Sequence, residues 1–328
     1  MFNKLNTKVL IGIFAVLLLL ALFALLRNKS QSSVSRNRTF TSELTDFDSS
    51  TVDKLILYPK NRSESIELRK VNDSWFVKTK DTKYSADPGA IKGMLENLFD
   101  LRATRIAAND KSQWGKYEVT DSAATRVIAY NGKKVLADVY IGKFSYQQPK
   151  NPNPYMQQQG KMTSYVRIGN DKVVYAVDGF LSMTFNRQAD DFRNRSIVNS
   201  SKDQWTKLSF SGPAKTYNLT RQGTRWMMEG LETDSATTDK FLSSLARLYS
   251  SDFIEPSTRI SDNPAYTLAI EGENMAVPIK VYAFEADTAN KFAISSSLNE
   301  GSYFSGSKSG LFDKAFPSKE SFFINETK

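Results

Sequence analysis

The chain has 328 residues, none of them histidine or cysteine. Without an imidazole, neither a Ser-His-Asp nor a Cys-His catalytic arrangement can be built. Losing both residue types also removes almost every structural or catalytic zinc site. Disulfides, thiol redox chemistry and a lipid-modified cysteine are excluded outright. An exported domain of this size does not need disulfides, because it can bury a sufficient core. The chain also has no run of Lys/Arg and no basic stripe with interleaved aromatics, which argues against nucleic-acid binding. Its net charge of +9 is partly an end effect. The first 29 residues hold four basic groups and no acid, and the rest carries a basic excess of only five.

Carboxylate acid/base work, Ser-Lys chemistry and Mg²⁺ or Ca²⁺ sites remain open. The acids do not form a persuasive constellation. Asp190 and Asp191 are the only adjacent pair in the folded region, and Arg193 and Arg195 beside them predict a salt-bridged corner. Asp138 lies on a strand opposite Val135, Ala137, Val139 and Ile141, so it is expected to face solvent. Asp46-x-Asp48-x-Ser50 lacks the glycine and the bidentate Glu of a calcium loop. GSYFSGSKS at 301–309 places Ser307 where a phosphate loop requires Lys. Its Ser-x-x-Lys and Lys-Ser-Gly elements share Lys308, so they cannot face each other across a site, and a surface turn is expected. No catalytic residue, metal ligand or cofactor is assigned.

Residues 9–26, VLIGIFAVLLLLALFALL, are 18 consecutive uncharged residues. As a helix they would span about 27 Å, close to the ~30 Å hydrocarbon core of a bilayer. A cleaved signal peptide is the competing reading, but its apolar region is shorter and ends in an A-x-A-like site, absent here. An uncleaved single-pass anchor is therefore expected, in a bacterial inner (plasma) membrane. Lys4 and Lys8 precede it, and Arg27, Lys29, Arg36 and Arg38 follow. Counted literally, these do not favour export of the C-terminal part. Long domains, however, translocate largely regardless of flanking charge, and an extracytoplasmic domain is expected.

Residues 27–50 are rich in Ser, Thr, Asn and Arg and read as a flexible stalk. Beyond it the chain repeats itself. Strands VDKLILY (52–58) and WTKLSF (205–210) are followed by IELRK (66–70) and YNLTR (217–221). Turns at Asn72-Asp73 and Gln222-Gly223 lead into strands opened by Trp75 and Trp226. Each half then has a helix. Asp87-Pro88 starts one, with Ile91, Met94, Leu95, Leu98 and Leu101 at helical spacing. Asp234 or Ser235 starts the other, with Phe241, Leu242, Leu245, Leu248 and Tyr249. Strands return at 127–130, 135–141 and 164–168, and again at 268–270, 277–284 and 291–294. A short apolar helix or turn closes each half, near Phe180-Leu181 and Leu311-Phe312. The expected fold is α+β: two tandem, similar units of mainly antiparallel sheet, each with one principal helix, behind an N-terminal transmembrane helix. The expected boundaries are 1–26 (cytoplasmic tip and anchor), 27–50 (stalk), 51–200 and 201–328 (the two units), joined near 196–203.

Residues 143–162, KFSYQQPKNPNPYMQQQGKM, break the symmetry. Proline suits a strand ladder poorly, so this reads as a loop excursion. Long loops in compact domains are often functional or disordered. Tyr146, Pro149, Pro152, Pro154 and Tyr155 are the candidate partner contacts there, with Trp114 in another loop. Trp75 and Trp226, at equivalent repeat positions, read as packing residues.

The arrangement resembles a bacterial family known as domain of unknown function 4340. The resemblance rests on Trp75, Asp87, Trp114-Gly115, Ile141-Gly142, Tyr165-Val166-Arg167, Val174-Tyr175-Ala176-Val177 and Asp191-Phe192-Arg193-Asn194-Arg195. It covers residues ~50–200 well and the second half weakly. It implies a single-pass bacterial protein, in some cases encoded beside ABC-type transport components resembling gliding-motility auxiliary proteins. It supplies no catalytic residue. The expected function is a membrane-tethered, non-catalytic interaction module with a protein partner in the envelope, accessory to transport or assembly. A carboxylate-dependent envelope hydrolase and an envelope-polymer binder are the alternatives. The small-molecule ligand, if any, is not named by these residues.

Overall fold

The computed structural model describes residues 42–61, 64–79, 82–148, 160–213, 215–254, 259–284 and 292–323. The apolar run at 9–26, the polar segment up to residue 41, and Pro149, Pro152, Pro154 and Tyr155 lie outside these residues. Among the described residues no helix is long and apolar enough to cross a membrane.

Two antiparallel sheets carry the fold. The first contains β1 (Lys54–Tyr58), β2 (Ile66–Val71), β3 (Ser74–Thr79), β4 (Thr82–Ser85), β5 (Ala103–Ala108), β6 (Thr125–Asn131), β7 (Lys134–Gln147), β8 (Lys161–Ile168) and β9 (Val174–Asp178). The second contains β10 (Trp205–Ser211), β11 (Tyr217–Gln222), β12 (Arg225–Met228), β13 (Leu231–Glu232), β14 (Tyr266–Gly272), β15 (Met275–Ala283), β16 (Phe292–Ser296) and β17 (Phe304–Ser305). Their strand orders are β4-β3-β2-β1-β6-β7-β8-β9-β5 and β13-β12-β11-β10-β14-β15-β16-β17. The same path is therefore traced twice, with β5 as the addition. A trace of β5 persists in the second unit as a single bridge from Phe253 to Phe304 of β17, where β5 pairs with β9 in the first. The architecture is α+β in two sheet units.

Alternation along the strands explains which face is covered. Leu55, Leu57, Leu68, Val77, Val127, Ala129, Val139 and Ile141 are buried against Ile91, Met94 and Leu98 of helix Pro88–Phe99. In the second unit Leu208, Phe210, Leu219, Ile270, Ile279 and Val281 lie against Leu242 and Leu245 of helix Ser235–Leu245. Each Val, Leu, Ile, Met or Phe among them contributes roughly 1.5–3 kcal/mol when fully buried.

Both helices start in the same way. Asp87 accepts hydrogen bonds from the Gly89 and Ala90 amides at 2.8 and 3.2 Å, with Pro88 in the first turn. Asp234 accepts from the Thr237 amide at 2.8 Å. These caps satisfy amides that have no partner inside the helix. The preceding residues are pinned by the Trp-led strands, Ala86 N–H to the Trp75 carbonyl at 2.8 Å and Thr233 N–H to the Trp226 carbonyl at 3.0 Å. The Asp amides themselves donate to the carbonyls of Phe192 and Phe322, each at 2.8 Å. The closing phenylalanine of each unit thus ties down the start of its helix.

Three local expectations change. Residues 143–147 and 161–162 belong to β7 and β8, paired as Phe144↔Ser164, Ser145↔Thr163, Tyr146↔Met162 and Gln147↔Lys161. The excursion is therefore 148–160, since the ladder runs on to Gln147 and resumes at Lys161. The segment expected to be stalk as far as residue 50 is docked from Glu43 onward. Leu44 N–H donates to the Leu101 carbonyl at 2.9 Å, Glu43 bridges to Arg102, and Leu44 and Phe47 pack on the first core. Its two apolar side chains outweigh its polar composition. Finally, 301–309 is not a surface turn throughout. Ser302, Phe304 and Ser305 are buried, and only the stretch from Ser307 to Ser309 faces solvent between them and Gly310.

The units meet at the segment 193–200. Arg193 is 3% exposed, and its guanidinium lies 3.6 Å from the ring centroids of both Tyr84, on β4, and Phe253, in the second unit. It donates to Ser302 Oγ and to Asp190, each at 3.3 Å. Asn299 donates to the carbonyls of Asn194 and Ser196, at 2.7 and 3.0 Å. Ser296 donates to the Ile197 carbonyl at 2.6 Å. The Ile197 and Val198 amides both donate to the Leu248 carbonyl. The expected acid–arginine corner is present, as Arg193–Asp190 at 3.3 Å and Arg195–Asp191 at 3.2 Å.

Three substitutions test this packing. A Cβ on Gly142 would lie 2.1 Å from the Tyr117 carbonyl oxygen, a backbone atom that cannot swing aside. Gly142→Ala is expected to destabilise by about 1–3 kcal/mol, lowering the thermal midpoint by about 2–4 °C for each kcal/mol. Gly93 meets nothing within 4 Å in its helix, so Gly93→Ala should raise stability by about 0.5–1 kcal/mol in the same melts. Arg193→Ala removes the shared cation and leaves a cavity between two rings. It should cost about 2–4 kcal/mol in urea denaturation, and a loss below about 0.5 kcal/mol would contradict the role given to Arg193.

Candidate interaction surface

The first sheet turns its other face away from the helix, and that face carries a stack of alternating rings and guanidinium groups. Side chains at every second strand position share a face. Tyr58 of β1, Arg126 of β6, Tyr140 of β7 and Arg167 of β8 fall together in this way. Arg126 binds Asp138 through two hydrogen bonds of 2.8 and 2.7 Å, and its guanidinium lies 4.9 Å from the Tyr140 ring centroid and 5.9 Å from that of Tyr58. Asp138 is therefore held by a bidentate ion pair rather than left to solvent. Burial pushes the Tyr140 phenol above its usual value.

Arg167 is 2% exposed and lies between Tyr140 and Trp114, 3.5 and 4.0 Å from their ring centroids. It donates to the Val119 carbonyl at 3.0 Å, to the Gly169 carbonyl, and to Asp121 at 2.8 Å. A buried cation is tolerable when its donors are satisfied in this way. Trp114 opens the short helix Trp114–Tyr117, which follows a 3-10 turn capped by Asp110. Its indole N–H donates to the Lys172 carbonyl at 3.0 Å. Trp114 is half-buried and serves as the lid on Arg167.

The far end of the β7–β8 hairpin is different. Tyr146 is 52% exposed and sits directly across from Met162, which is also exposed. Phe144, on the same face of β7, is exposed as well. Its ring lies 4.1 Å from that of Phe180. Phe180 leads into helix Leu181–Phe185, whose Met183 is 73% exposed. Phe144, Tyr146, Met162, Phe180 and Met183 thus form an apolar surface next to the Pro/Gln-rich loop. The ion pair Lys161–Asp178, at 3.2 Å, joins the neighbouring strands beside it. Grouped exposed apolar residues mark contact sites more often than scattered ones do. Of the residues expected from sequence, Tyr146 is placed here and Trp114 is not. Phe144, Met162 and Met183 were missed. The 144/146 alternation was the available signal, hidden by reading these positions as loop.

Two clefts flank the principal helices at matching repeat positions. One, of about 380 Å³, lies beside Trp226 and the helix Ser235–Leu245, with the ion pairs Arg225–Glu232 and Lys202–Asp239 at its rim. The other, of about 370 Å³, lies beside Trp75 and the helix Pro88–Phe99. Both tryptophans also pack against the core of their unit. Among the described residues no aspartate or glutamate is buried, and no three acids converge as a metal site would require.

Lysine cannot reproduce the planar fork of Arg167. Arg167→Lys is expected to cost about 1–3 kcal/mol through the acceptors left without donors. It should also shift the emission of Trp114, one of only four tryptophans, towards that of a solvated indole. Unchanged emission together with unchanged stability would contradict the stack.

No curated protein and no solved structure matches the chain. The family described as Domain of unknown function (DUF4340) matches residues 75–269. The match opens at the tryptophan of β3, takes in Trp114, Gly142, Arg167 and the whole of the 193–200 joint, and ends inside β14. It spans more than half of the sequence, and the chain is a member of the DUF4340 family.

Proposed function

We propose that this protein is a membrane-tethered, non-catalytic interaction module, accessory to an envelope transport or assembly complex. The uncharged run at 9–26 is the tether, a single span in a bacterial inner membrane with the folded part on the extracytoplasmic side. The observation that carries the reading is the exposed apolar side chains of Phe144, Tyr146 and Met162 at the end of the β7–β8 hairpin and of Met183, with the half-buried Phe180 stacked on Phe144. The equivalent connection of the second unit, 284–291, is shorter than 148–160, so the repeat does not need the longer form for folding. Aromatic and methionine side chains are enriched at the centres of protein interfaces. The prolines of the adjoining loop restrict its backbone, which lowers the entropy lost on docking. The partner is a protein of the same membrane, and the ABC-type transport association follows from the family resemblance.

The test is recovery of partners from mild-detergent extracts after crosslinking. Tyr146→Thr, Met162→Thr and Met183→Gln together change only exposed side chains, so the thermal midpoint should stay within a few degrees. The wild-type chain should retain a defined membrane partner that the triple variant loses. Recovery of the same partner by both, or of the wild-type chain alone, would refute this reading.

A further inference from the structure

On the face that carries the ring-and-arginine stack, three cations gather around two tyrosines with no acid among them. Tyr117, from the short helix, and Tyr165, from β8, lie with ring centroids 4.7 Å apart. The Arg105 guanidinium lies 5.9 Å from the Tyr165 centroid, and its Nη2 is 3.5 Å from the Tyr165 hydroxyl. Lys116 and Lys143 each place Nζ 5.5 Å from the Tyr117 centroid. Arg105 and Lys116 are exposed, and Lys143 is half-buried. The bulge in β7 between Ile141 and Phe144 sets Gly142 and Lys143 against the single residue Tyr165 of β8.

Among the described residues none of these three cations forms an ion pair, whereas 15 other salt bridges are made elsewhere in the structure. The nearest acid in sequence, Glu118, is taken by Lys60 at 2.6 Å. The Tyr165 hydroxyl reports the local potential. Its phenol is held below the usual value, first by a hydrogen bond with Ser145 and, against the opposing effect of burial, by Arg105 and Lys143. Like charges brought together without neutralisation repel. Three cations set around the adjoining Tyr117 and Tyr165 rings, with Arg105 and Lys143 acting on the Tyr165 hydroxyl, are the arrangement that an external anion relieves.

We infer that Arg105, Lys116 and Lys143, with the hydroxyls of Tyr165 and Ser145, form a binding site for a phosphate-bearing anion. A guanidinium fork, two ammonium groups and nearby hydroxyls suit a tetrahedral, multiply charged anion better than a single carboxylate. The same chemistry is offered by a free phosphate ester and by an anionic lipid headgroup. The site lies apart from the exposed Tyr146 and Met162 surface, and it does not rest on the docking reading.

The test uses the full chain in an uncharged detergent, titrated calorimetrically with inorganic phosphate against chloride at matched ionic strength. A second arm adds short-chain phosphatidylglycerol or phosphatidylcholine. Phosphate, phosphatidylglycerol or both should bind and raise the thermal midpoint, whereas chloride and phosphatidylcholine should not. Tighter binding of phosphatidylglycerol assigns the site to a headgroup, and phosphate binding at least as tight assigns it to a soluble ester. The Arg105→Gln/Lys143→Gln double variant should lose about tenfold or more in affinity. If it fails to fold, Arg105→Gln and Lys116→Gln, both at exposed positions, should each weaken binding severalfold. No binding above chloride, binding of phosphatidylcholine as tight as phosphatidylglycerol, or variant affinities equal to wild type would overturn the assignment.

Discussion

Arg193 has Tyr84 on one side of its guanidinium and Phe253 on the other, and these rings belong to different units. Around it the segment 193–200 donates backbone hydrogen bonds to the carbonyls of Ala246 and Leu248, accepts one from the Ser250 amide at the Arg195 carbonyl, and accepts side-chain hydrogen bonds from Ser296 and Asn299. A linker left in solvent would allow two tandem units to move independently. Here its backbone groups are used as they would be at the edge of a sheet. The cation sits where neither unit alone could hold it, because each contributes one ring. Phe192, immediately before it, accepts the amide that starts the first helix. The stretch 192–200 therefore closes the first unit and secures it to the second.

Several residues inside the family match have structural work in this chain. Trp75 accepts the amide of Ala86 and so positions the helix cap. Gly142 permits a backbone approach that any Cβ would block. Trp114 and Tyr140 enclose Arg167, and Arg167 in turn holds three acceptors in place. The exposed apolar residues of the β7–β8 hairpin have no such duty. Function is therefore sought where the repeat is broken, at the lengthened hairpin and on the face beside it, rather than where the repeat is kept.

Much of this was legible along the chain. The strands led by Trp75 and Trp226, the Asp-capped helices and the doubled order of elements follow from apolar period and capping chemistry, which act over a few residues. So does the corner of Asp190, Asp191, Arg193 and Arg195, whose partners are close in sequence. The short strands β4, β5 and β13 were not legible. They lack enough alternation to signal themselves and exist because an edge was available to pair with. Phe144 and Tyr146 were hidden for a related reason, since the prolines and glutamines after them dominated the local composition.

The absence of histidine and cysteine settled, from sequence alone, which chemistries this protein cannot perform, because side-chain chemistry does not depend on the fold. Sequence alone also determined the repeat, because each unit's core comes from its own local pattern of apolar residues. Only the tertiary structure decided that Arg193 is shared, that Trp114 covers Arg167, and that Arg105, Lys116 and Lys143 meet around Tyr117 and Tyr165. In each of these groups some partners lie tens of residues apart and on different elements. Their approach is set by strand register and by how the sheets are covered, which no local pattern encodes.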